Sequence, residues 1–196
     1  MKTDRSKSHR FYRRRLPHFT GDGLLQFVTF RLADSVPAKL IERWKALVDL
    51  TDPETSAAYR KKIERFLDRG YGECVLRQRR VAELVRDSLF FHNGKKYELV
   101  AWVIMPNHVH VLLLPLEEIE LEVIMHSIKS YTAHEVNKLL ARTGQLWERE
   151  SFDRYIRNET HRRNVIQYIE MNPVKARLCV EVGDWEFSSA FRAPEE

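Results

Sequence analysis

VIMPNHVHVLLLP, residues 103–115, holds the most informative pattern of the chain, two histidines separated by one residue at the start of a very apolar run. Side chains alternate between the faces of a β-strand, so this spacing places His108 and His110 on one face and Val109 on the other. Buried neutral imidazoles need polar partners. By itself the pattern is compatible with a half-exposed histidine pair and with two ligands of one metal ion. Residues elsewhere in the chain are needed to distinguish these two interpretations.

NVIQYIEMNPVKARL, residues 164–178, supplies the second pattern. Its apolar residues recur at helical spacing, which predicts a helix from about residue 160 to residue 172. Tyr168 and Asn172 are four positions apart on one side of this helix, so a phenol hydroxyl and an amide oxygen are presented to the same small volume. Plainer interpretations stay open. Asn172 precedes Pro173 and could simply end the helix and cap the next turn, and a lone tyrosine is usually a residue at the edge of a core.

Four segments, in this order, carry a resemblance to a known family: MPNHVHVLL (105–113), HSIKSYTAHEVN (126–137), LWERESFDRYIRN (146–158) and VIQYIEMNPVKARL (165–178). They resemble the single-tyrosine HUH transposases, and most closely the branch called REP-associated tyrosine transposases. The similarity runs from about residue 11 to residue 178. The resemblance implies that His108 and His110 are paired metal ligands, that Tyr168 is the nucleophile, and that Asn172 is a third, amide-type ligand.

The same resemblance implies a fold and an activity. The fold is α+β, a small antiparallel sheet flanked by helices, as in the ferredoxin-like or RRM-like core of HUH endonucleases. The activity is that of a metal-dependent endonuclease and strand transferase, which recognises hairpins of single-stranded DNA such as REP-like palindromes and forms a 5′-phosphotyrosine intermediate. Such a protein is expected in the bacterial cytoplasm, associated with the nucleoid. A monomer and a homodimer are both compatible with the sequence.

The expected metal is Mg²⁺ or Mn²⁺. Two imidazoles favour later transition metals, whereas phosphate chemistry and an amide oxygen favour Mg²⁺ or Mn²⁺, and the family resemblance favours the latter pair. Zinc needs a more closed set of ligands. The other histidines of predicted helices are expected to lie at the surface and not to complete such a set: His126, His134 and His161.

Positive charge is concentrated at the amino terminus. The first fifteen residues hold seven Lys or Arg and one Asp, so they carry +6 of a net charge of +5 and leave the rest of the chain at about −1. A basic arm with aromatic residues suits phosphate contacts and base stacking, although a solvated, disordered terminus has the same composition. The residues predicted to bind nucleic acid are Arg10, Arg13, Arg14 and Arg15 in this arm, and Lys129, Arg154, Arg157, Arg162 and Arg163 elsewhere.

We interpret the chain as an arm (1–18), a single-tyrosine HUH transposase domain (19–180) with a helical insertion at about 46–72, and a C-terminal tail (181–196). Periodicity and turn residues give a mixed α+β class. Strands are predicted at 25–32, 97–105 and 108–114, and helices at 37–48, 52–70, 79–91 and 120–142. Residues 144–157 are predicted to form a loop or a short strand.

Composition limits the class of protein. At 196 residues the chain is long enough for one domain with a full core. Cys74 and Cys179 lie far apart without CxxC spacing, which indicates a reducing compartment and argues against a disulfide framework or a zinc ribbon. The charged amino terminus is not followed by an apolar signal segment, and the apolar runs are too short to span a bilayer. We therefore expect a soluble protein without membrane contact.

Two other function classes remain open. One is a non-catalytic module that binds a nucleic-acid hairpin with the arm and the sheet. The other is a histidine-metal hydrolase that activates water and leaves Tyr168 without a role. Within the transposase interpretation, Tyr131 and Tyr155 are rival nucleophiles, and both are otherwise ordinary packing or base-stacking residues. The placement of Asn172 four residues after Tyr168 favours Tyr168.

Overall fold

The computed structural model describes residues 10–13, 17–20, 24–49, 52–116 and 119–193. Its strands are β1 (Arg10–Arg13), β2 (Pro17–Thr20), β3 (Gln26–Arg31), β4 (Tyr97–Ile104), β5 (His108–Pro115) and β6 (Phe152–Tyr155). Its α-helices are α1 (Ala38–Lys45), α2 (Pro53–Leu67), α3 (Arg79–Phe91), α4 (Leu121–Leu139), α5 (Glu159–Glu170) and α6 (Asn172–Lys175). None of the helices in these ranges is long and apolar enough to cross a membrane.

The central sheet has four antiparallel strands in the order β4-β5-β3-β6. With α1 and α2 left aside, the chain runs β3, α3, β4, β5, α4, β6, which is a βαββαβ sequence. Numbered within this unit, the strands are ordered 4-1-3-2, the arrangement of the ferredoxin-like split βαβ. The predicted α+β class, with a small antiparallel sheet flanked by helices, is confirmed.

Strand β5 lies at the centre of the sheet and is buried on both faces. Val109 and Val111 point into the larger core, beneath α3 and α4. Leu112 points into a second core, which contains Val165 and Ile169 of α5. His108 and His110 share the face of Leu112, as the alternation along the strand requires. The histidine pair therefore faces the side of the sheet that α5 covers.

Helix α2 belongs to the stretch predicted as an insertion. Asp52 caps its first turn by accepting a hydrogen bond from the backbone N–H of Thr55 at 2.8 Å, and Pro53 occupies the first helical position. The helix has its own small core, in which Tyr59 and Ile63 are almost fully buried. Tyr59 also contacts Phe152 of β6 edge to face. Through this contact α2 lies beside the β6 edge of the sheet.

Helix α5 is shorter than predicted. It ends at Glu170, and α6 begins at Asn172 with Pro173 in its first turn. Proline has no backbone N–H, so the hydrogen bond that would continue α5 past this point cannot form. The predicted single helix from about 160 to 172 is therefore two helices, and Asn172 is the first residue of the second.

Both ends of the described chain pair with other strands. Strands β1 and β2 form an antiparallel hairpin, so the predicted boundary at residue 18 falls inside β2. Arg14 and Arg15 lie outside the described residues.

Within the predicted tail (181–196), residues 187–189 run along the edge of β4, where Ile104 N–H donates to Phe187 O at 2.8 Å and Ser189 N–H donates to Trp102 O at 2.9 Å. This segment thus covers backbone groups that an edge strand would leave open.

Candidate functional site

The two histidines of β5 converge on one point. Their Nε2 atoms are 3.1 Å apart, and both side chains are 1% exposed. Two ligands at about 2.1 Å from one ion, at a right angle, have their donor atoms about 3.0 Å apart. The observed spacing therefore matches two neighbouring positions of an octahedral metal.

Asn107 fixes the ring of His108. Its Nδ2 donates to Tyr71 O at 2.9 Å and to Leu67 O at 3.3 Å, which leaves Oδ1 facing His108 Nδ1 at 2.8 Å. An amide oxygen can only accept, so Nδ1 of His108 carries the hydrogen. In the neutral ring Nε2 then has a free lone pair. Metal-binding histidines are usually held in this way by a partner on the other nitrogen.

Thr29 plays the corresponding part for His110. The two residues are direct neighbours across β3 and β5, and Thr29 Oγ1 is 2.8 Å from His110 Nδ1. A hydroxyl can accept as well as donate, so it can take a hydrogen bond from Nδ1–H and leave Nε2 of His110 as an acceptor. Each imidazole of the pair thus has a polar partner on Nδ1 and presents Nε2 to the shared point.

Burial keeps both rings neutral. It lowers the pKa of His108 to about 3. Burial also lowers the pKa of His110 well below its ordinary value, and the nearby His108 and Arg154 act in the same direction. Neutral imidazoles are the form that binds metal. The two Nε2 atoms, the polar partners on Nδ1 and the neutral state of both rings therefore suit a divalent cation.

Tyr168 of α5 lies beside this pair. Its ring contacts His110 edge to face, with centroids 5.5 Å apart, and contacts Phe27 of β3 at 5.8 Å. Lys175 Nζ is 4.9 Å from the centre of the same ring. Burial raises the pKa of Tyr168 above its ordinary value, the Glu64 carboxylate adds to this rise, and a hydrogen bond with the Asn172 side chain opposes it.

Asn172 is buried next to Tyr168. Its Nδ2 donates to the backbone carbonyl of Tyr168 at 3.0 Å, a carbonyl that loses its usual helical partner where α5 ends. Among the residues that the structure describes, no third His, Cys, Asp or Glu joins His108 and His110 in a metal-binding group. The structure thus brings Tyr168 to the histidine pair and Asn172 to Tyr168, while the role of Asn172 as a ligand stays a prediction.

The rival tyrosines and the remaining helix histidines lie elsewhere. Tyr131 is 56% exposed on α4, the helix that covers the opposite face of the sheet. Tyr155 is half-buried in β6 beneath the guanidinium of Arg157. The exposed histidines of α4 are His126 and His134. His161, at the start of α5, accepts a hydrogen bond on Nδ1 from the backbone N–H of Arg157.

A cleft of about 330 Å³ opens beside Tyr168. Strands β3 and β6 and helix α2 line it, with these residues: Phe27, Thr29, Ala57, Arg60, Lys61, Glu64, Phe152, Asp153, Arg154 and Tyr168. Four of these, Ala57, Arg60, Lys61 and Glu64, come from the predicted insertion and were not among the predicted site residues. The sequence carried one local signal for them, since Arg60 and Glu64 are four residues apart and share a helix face.

The predicted nucleic-acid contacts differ in their surroundings. Arg154 is exposed at the cleft, with its guanidinium 4.8 Å from the centre of the Phe27 ring. Arg157 and Arg163 are also exposed, and Arg162 pairs with Glu159 at 3.1 Å. Of Arg10 and Arg13 the structure describes only the backbone, in β1.

Lys129 makes its hydrogen bonds inside the protein. Its ammonium donates to Glu148 O at 2.6 Å, to Arg149 O at 2.8 Å and to Ser151 Oγ at 3.3 Å. A lysine has three N–H donors, so all of them are used inside the protein. Burial lowers the pKa of Lys129 to about 8. Lys129 therefore holds the loop before β6, and its contact with nucleic acid stays a prediction.

The sequence of this chain is similar to those of two known transposases. A REP-associated tyrosine transposase of Escherichia coli strain K12 is 29% identical over 99 residues, which cover 50% of this chain and 57% of that protein. A relative from Haemophilus influenzae in the same group is 28% identical over 106 residues, covering 49% of this chain and 60% of that protein. The matches thus span between half and two thirds of each relative.

A solved structure of a REP-associated tyrosine transposase bound to a REP hairpin has the same fold. It superposes with a TM-score of 0.57 at 20% identity, covering 91% of this chain and 81% of that one. Residues 75–172, from the turn before α3 to Asn172, match the family described as Transposase IS200 like. This match covers half of the chain and contains His108, His110, Tyr168 and Asn172, and the chain belongs to the IS200-like transposase family.

Proposed function

We propose that this transposase is a metal-dependent endonuclease and strand transferase for single-stranded DNA, with Tyr168 as its nucleophile. The observation that carries the proposal is the convergence of the His108 and His110 Nε2 atoms, 3.1 Å apart, beside the ring of Tyr168. A neutral, oriented imidazole pair next to a phenol suits metal-assisted phosphodiester cleavage with a tyrosine nucleophile.

His108, His110 and Asn172 would hold Mg²⁺ or Mn²⁺, which when bound supplies Lewis-acid activation of a phosphate oxygen. The Tyr168 hydroxyl oxygen would attack phosphorus. A bond forms between this oxygen and phosphorus, and the bond from phosphorus to the 3′-oxygen breaks. The products are a 5′-phosphotyrosine link and a 3′-hydroxyl. Since one phosphodiester replaces another, the reverse reaction can join strands without a nucleoside triphosphate.

DNA hairpins are the proposed substrate. The related structure holds a REP hairpin, and the family is one of transposases. On this chain, exposed arginines flank the cleft and the start of α5, at Arg154, Arg157 and Arg163. The basic residues of the N-terminal segment, Arg10, Arg13, Arg14 and Arg15, would add phosphate contacts. Phosphate contacts position the strand, and the hairpin loop and its flanks would carry the sequence information.

The test is capture of the covalent product. The protein is incubated with single-stranded DNA from the flanks of its own gene, with Mn²⁺ or with chelator, and analysed by denaturing electrophoresis and mass spectrometry. We expect a DNA adduct on Tyr168 with Mn²⁺ only. Tyr168→Phe should form none, whereas Tyr131→Phe and Tyr155→Phe should retain it. Hairpin binding without an adduct in the unmodified protein would instead identify a non-catalytic binding module.

A further inference from the structure

Glu64 of α2 and Tyr168 of α5 line the same cleft, although 104 positions separate them in the chain. The Glu64 carboxylate and the Tyr168 side chain lie close enough to interact electrostatically. The site described so far contains no group that receives the proton of the attacking phenol. Glu64 presents a carboxylate to the cleft that Tyr168 lines.

The position of Glu64 is fixed from both sides. Next to it, Ile63 is fully buried in the small core of α2. At the end of α2, the carbonyl oxygens of Leu67 and Tyr71 accept hydrogen bonds from Asn107, the same side chain that orients His108. The helix that presents Glu64 is therefore tied directly to the histidine pair. It precedes the segment 75–172 that matches the family.

The surroundings of Glu64 suit a group that takes and returns a proton. Burial raises its pKa above the usual range of a glutamate, and Asp68 adds to the rise. Arg154 and Arg60 oppose it and favour the charged carboxylate. A carboxylate with a raised pKa is a stronger base than one in water, and the two arginines favour its ionised form.

We infer that Glu64 accepts the proton of the Tyr168 hydroxyl as this hydroxyl attacks the phosphodiester, a role that rests on the proposed function. The O–H bond of Tyr168 breaks as its oxygen bonds to phosphorus, and the proton moves to a Glu64 carboxylate oxygen. The 3′-oxygen leaves with the electron pair of its bond to phosphorus and takes a proton from water. In the joining direction protonated Glu64 returns its proton to the Tyr168 oxygen as that oxygen leaves.

The first experiment compares Glu64→Gln with Glu54→Gln, a matched change at an exposed glutamate of the same helix. Adduct formation is measured in a single turnover with Mn²⁺ and flanking single-stranded DNA. We expect Glu64→Gln to slow it by about 100-fold or more, as is typical for loss of a general base, and Glu54→Gln to leave it unchanged. Hairpin affinity and Mn²⁺ affinity should be unchanged in both variants. A loss of Mn²⁺ affinity in Glu64→Gln would overturn the inference by making Glu64 a metal ligand.

The second experiment replaces Tyr168 by a fluorotyrosine, whose phenol is more acidic and needs less help to lose its proton. The rate deficit of Glu64→Gln should then shrink, because only a proton-accepting role depends on the acidity of the phenol. An undiminished deficit, or a Glu64→Gln rate equal to that of the unmodified protein, rejects the role of Glu64 and leaves the proposed function intact. Absence of an adduct in the unmodified protein rejects the proposed function and this role together.

Discussion

Asn107 makes three contacts that no neighbouring residue could replace. Two backbone carbonyls accept its Nδ2 hydrogens, and its Oδ1 accepts from His108. The donors can point only at the carbonyls, so the amide cannot flip, and the orientation of the His108 ring follows from it. A residue that touches neither the proposed metal nor the proposed substrate thus determines which nitrogen of His108 is free to bind a metal.

This assignment predicts the effect of Asn107→Ala. Removing the amide leaves the His108 N–H without its partner and takes one hydrogen bond from each of two carbonyls, of which Leu67 O still accepts from Gly70 N–H, so stability should fall by about 1–3 kcal/mol. Mn²⁺ affinity should fall by about 10–100-fold, since the ring loses its orienting partner. Urea unfolding and calorimetric titration with Mn²⁺ measure the two effects. An unchanged Mn²⁺ affinity in a folded Asn107→Ala protein would show that His108 does not depend on this contact.

The sequence was sufficient for the site residues whose relation is local. The spacing of His108 and His110 places them on one strand face, and the four-residue spacing of Tyr168 and Asn172 keeps them adjacent although α5 ends between them, so the proximity within both pairs could be predicted from periodicity. The partners of Asn107 could not, because they are carbonyls 36 and 40 positions away. The position of Glu64 beside Tyr168 in the cleft could not be predicted for the same reason, since it depends on how α2 packs on the sheet.

At the scale of elements, the sequence predicted the helices and strands whose apolar residues recur at regular spacing on one buried face. Helix α3 has its predicted bounds, and the histidine strand begins where predicted. The hairpin β1–β2 was missed because its first strand reads RFYR, in which charged residues hide any alternation. The strand-like pairing of residues 187–189 with β4 was missed because backbone hydrogen bonds, and not an apolar pattern, hold it.

A core mutation in helix α2 should destabilise this helix without destabilising the central sheet. Ile63 is fully buried in a core that α2 shares with residues 36–48 and Phe152, apart from the cores on the two faces of the sheet. Ile63→Ala should therefore cost about 2–5 kcal/mol in the packing of α2, while β4 and β5 keep their contacts. In hydrogen exchange we expect loss of protection in residues 53–67 and unchanged protection in residues 97–115.

The same Ile63→Ala protein should cleave DNA more slowly, since α2 presents Glu64 and two cations of the cleft. Leu47→Ala is the matched control, because Leu47 is a large apolar residue near this helix but is 70% exposed. Protection lost equally in the helix and in the central strands would mean that α2 and the sheet unfold as one unit.

On the scale of the whole molecule, net charge is unevenly distributed along the chain. The first fifteen residues carry +6 and the remaining chain about −1. In the sheet, one face is a closed apolar core beneath α3 and α4, and the other face carries the histidines, Tyr168 and the cleft. The proposed chemistry thus lies on one side of the sheet, and the net positive charge of the chain lies in its first fifteen residues.

This distribution predicts how DNA binding depends on salt. Changing Arg10, Arg13, Arg14 and Arg15 together to Gln should weaken hairpin binding and flatten the slope of log affinity against log salt concentration. If all four contact phosphates, the slope should change by about 3, since each contact on single-stranded DNA contributes about 0.7. The control neutralises four cations that lie away from the site, on or near α3 and α4: Arg80, Lys95, Lys96 and Lys138. The control should leave the slope nearly unchanged. Equal slopes in both variants would mean that the N-terminal arginines attract DNA only through net charge and make no phosphate contacts of their own.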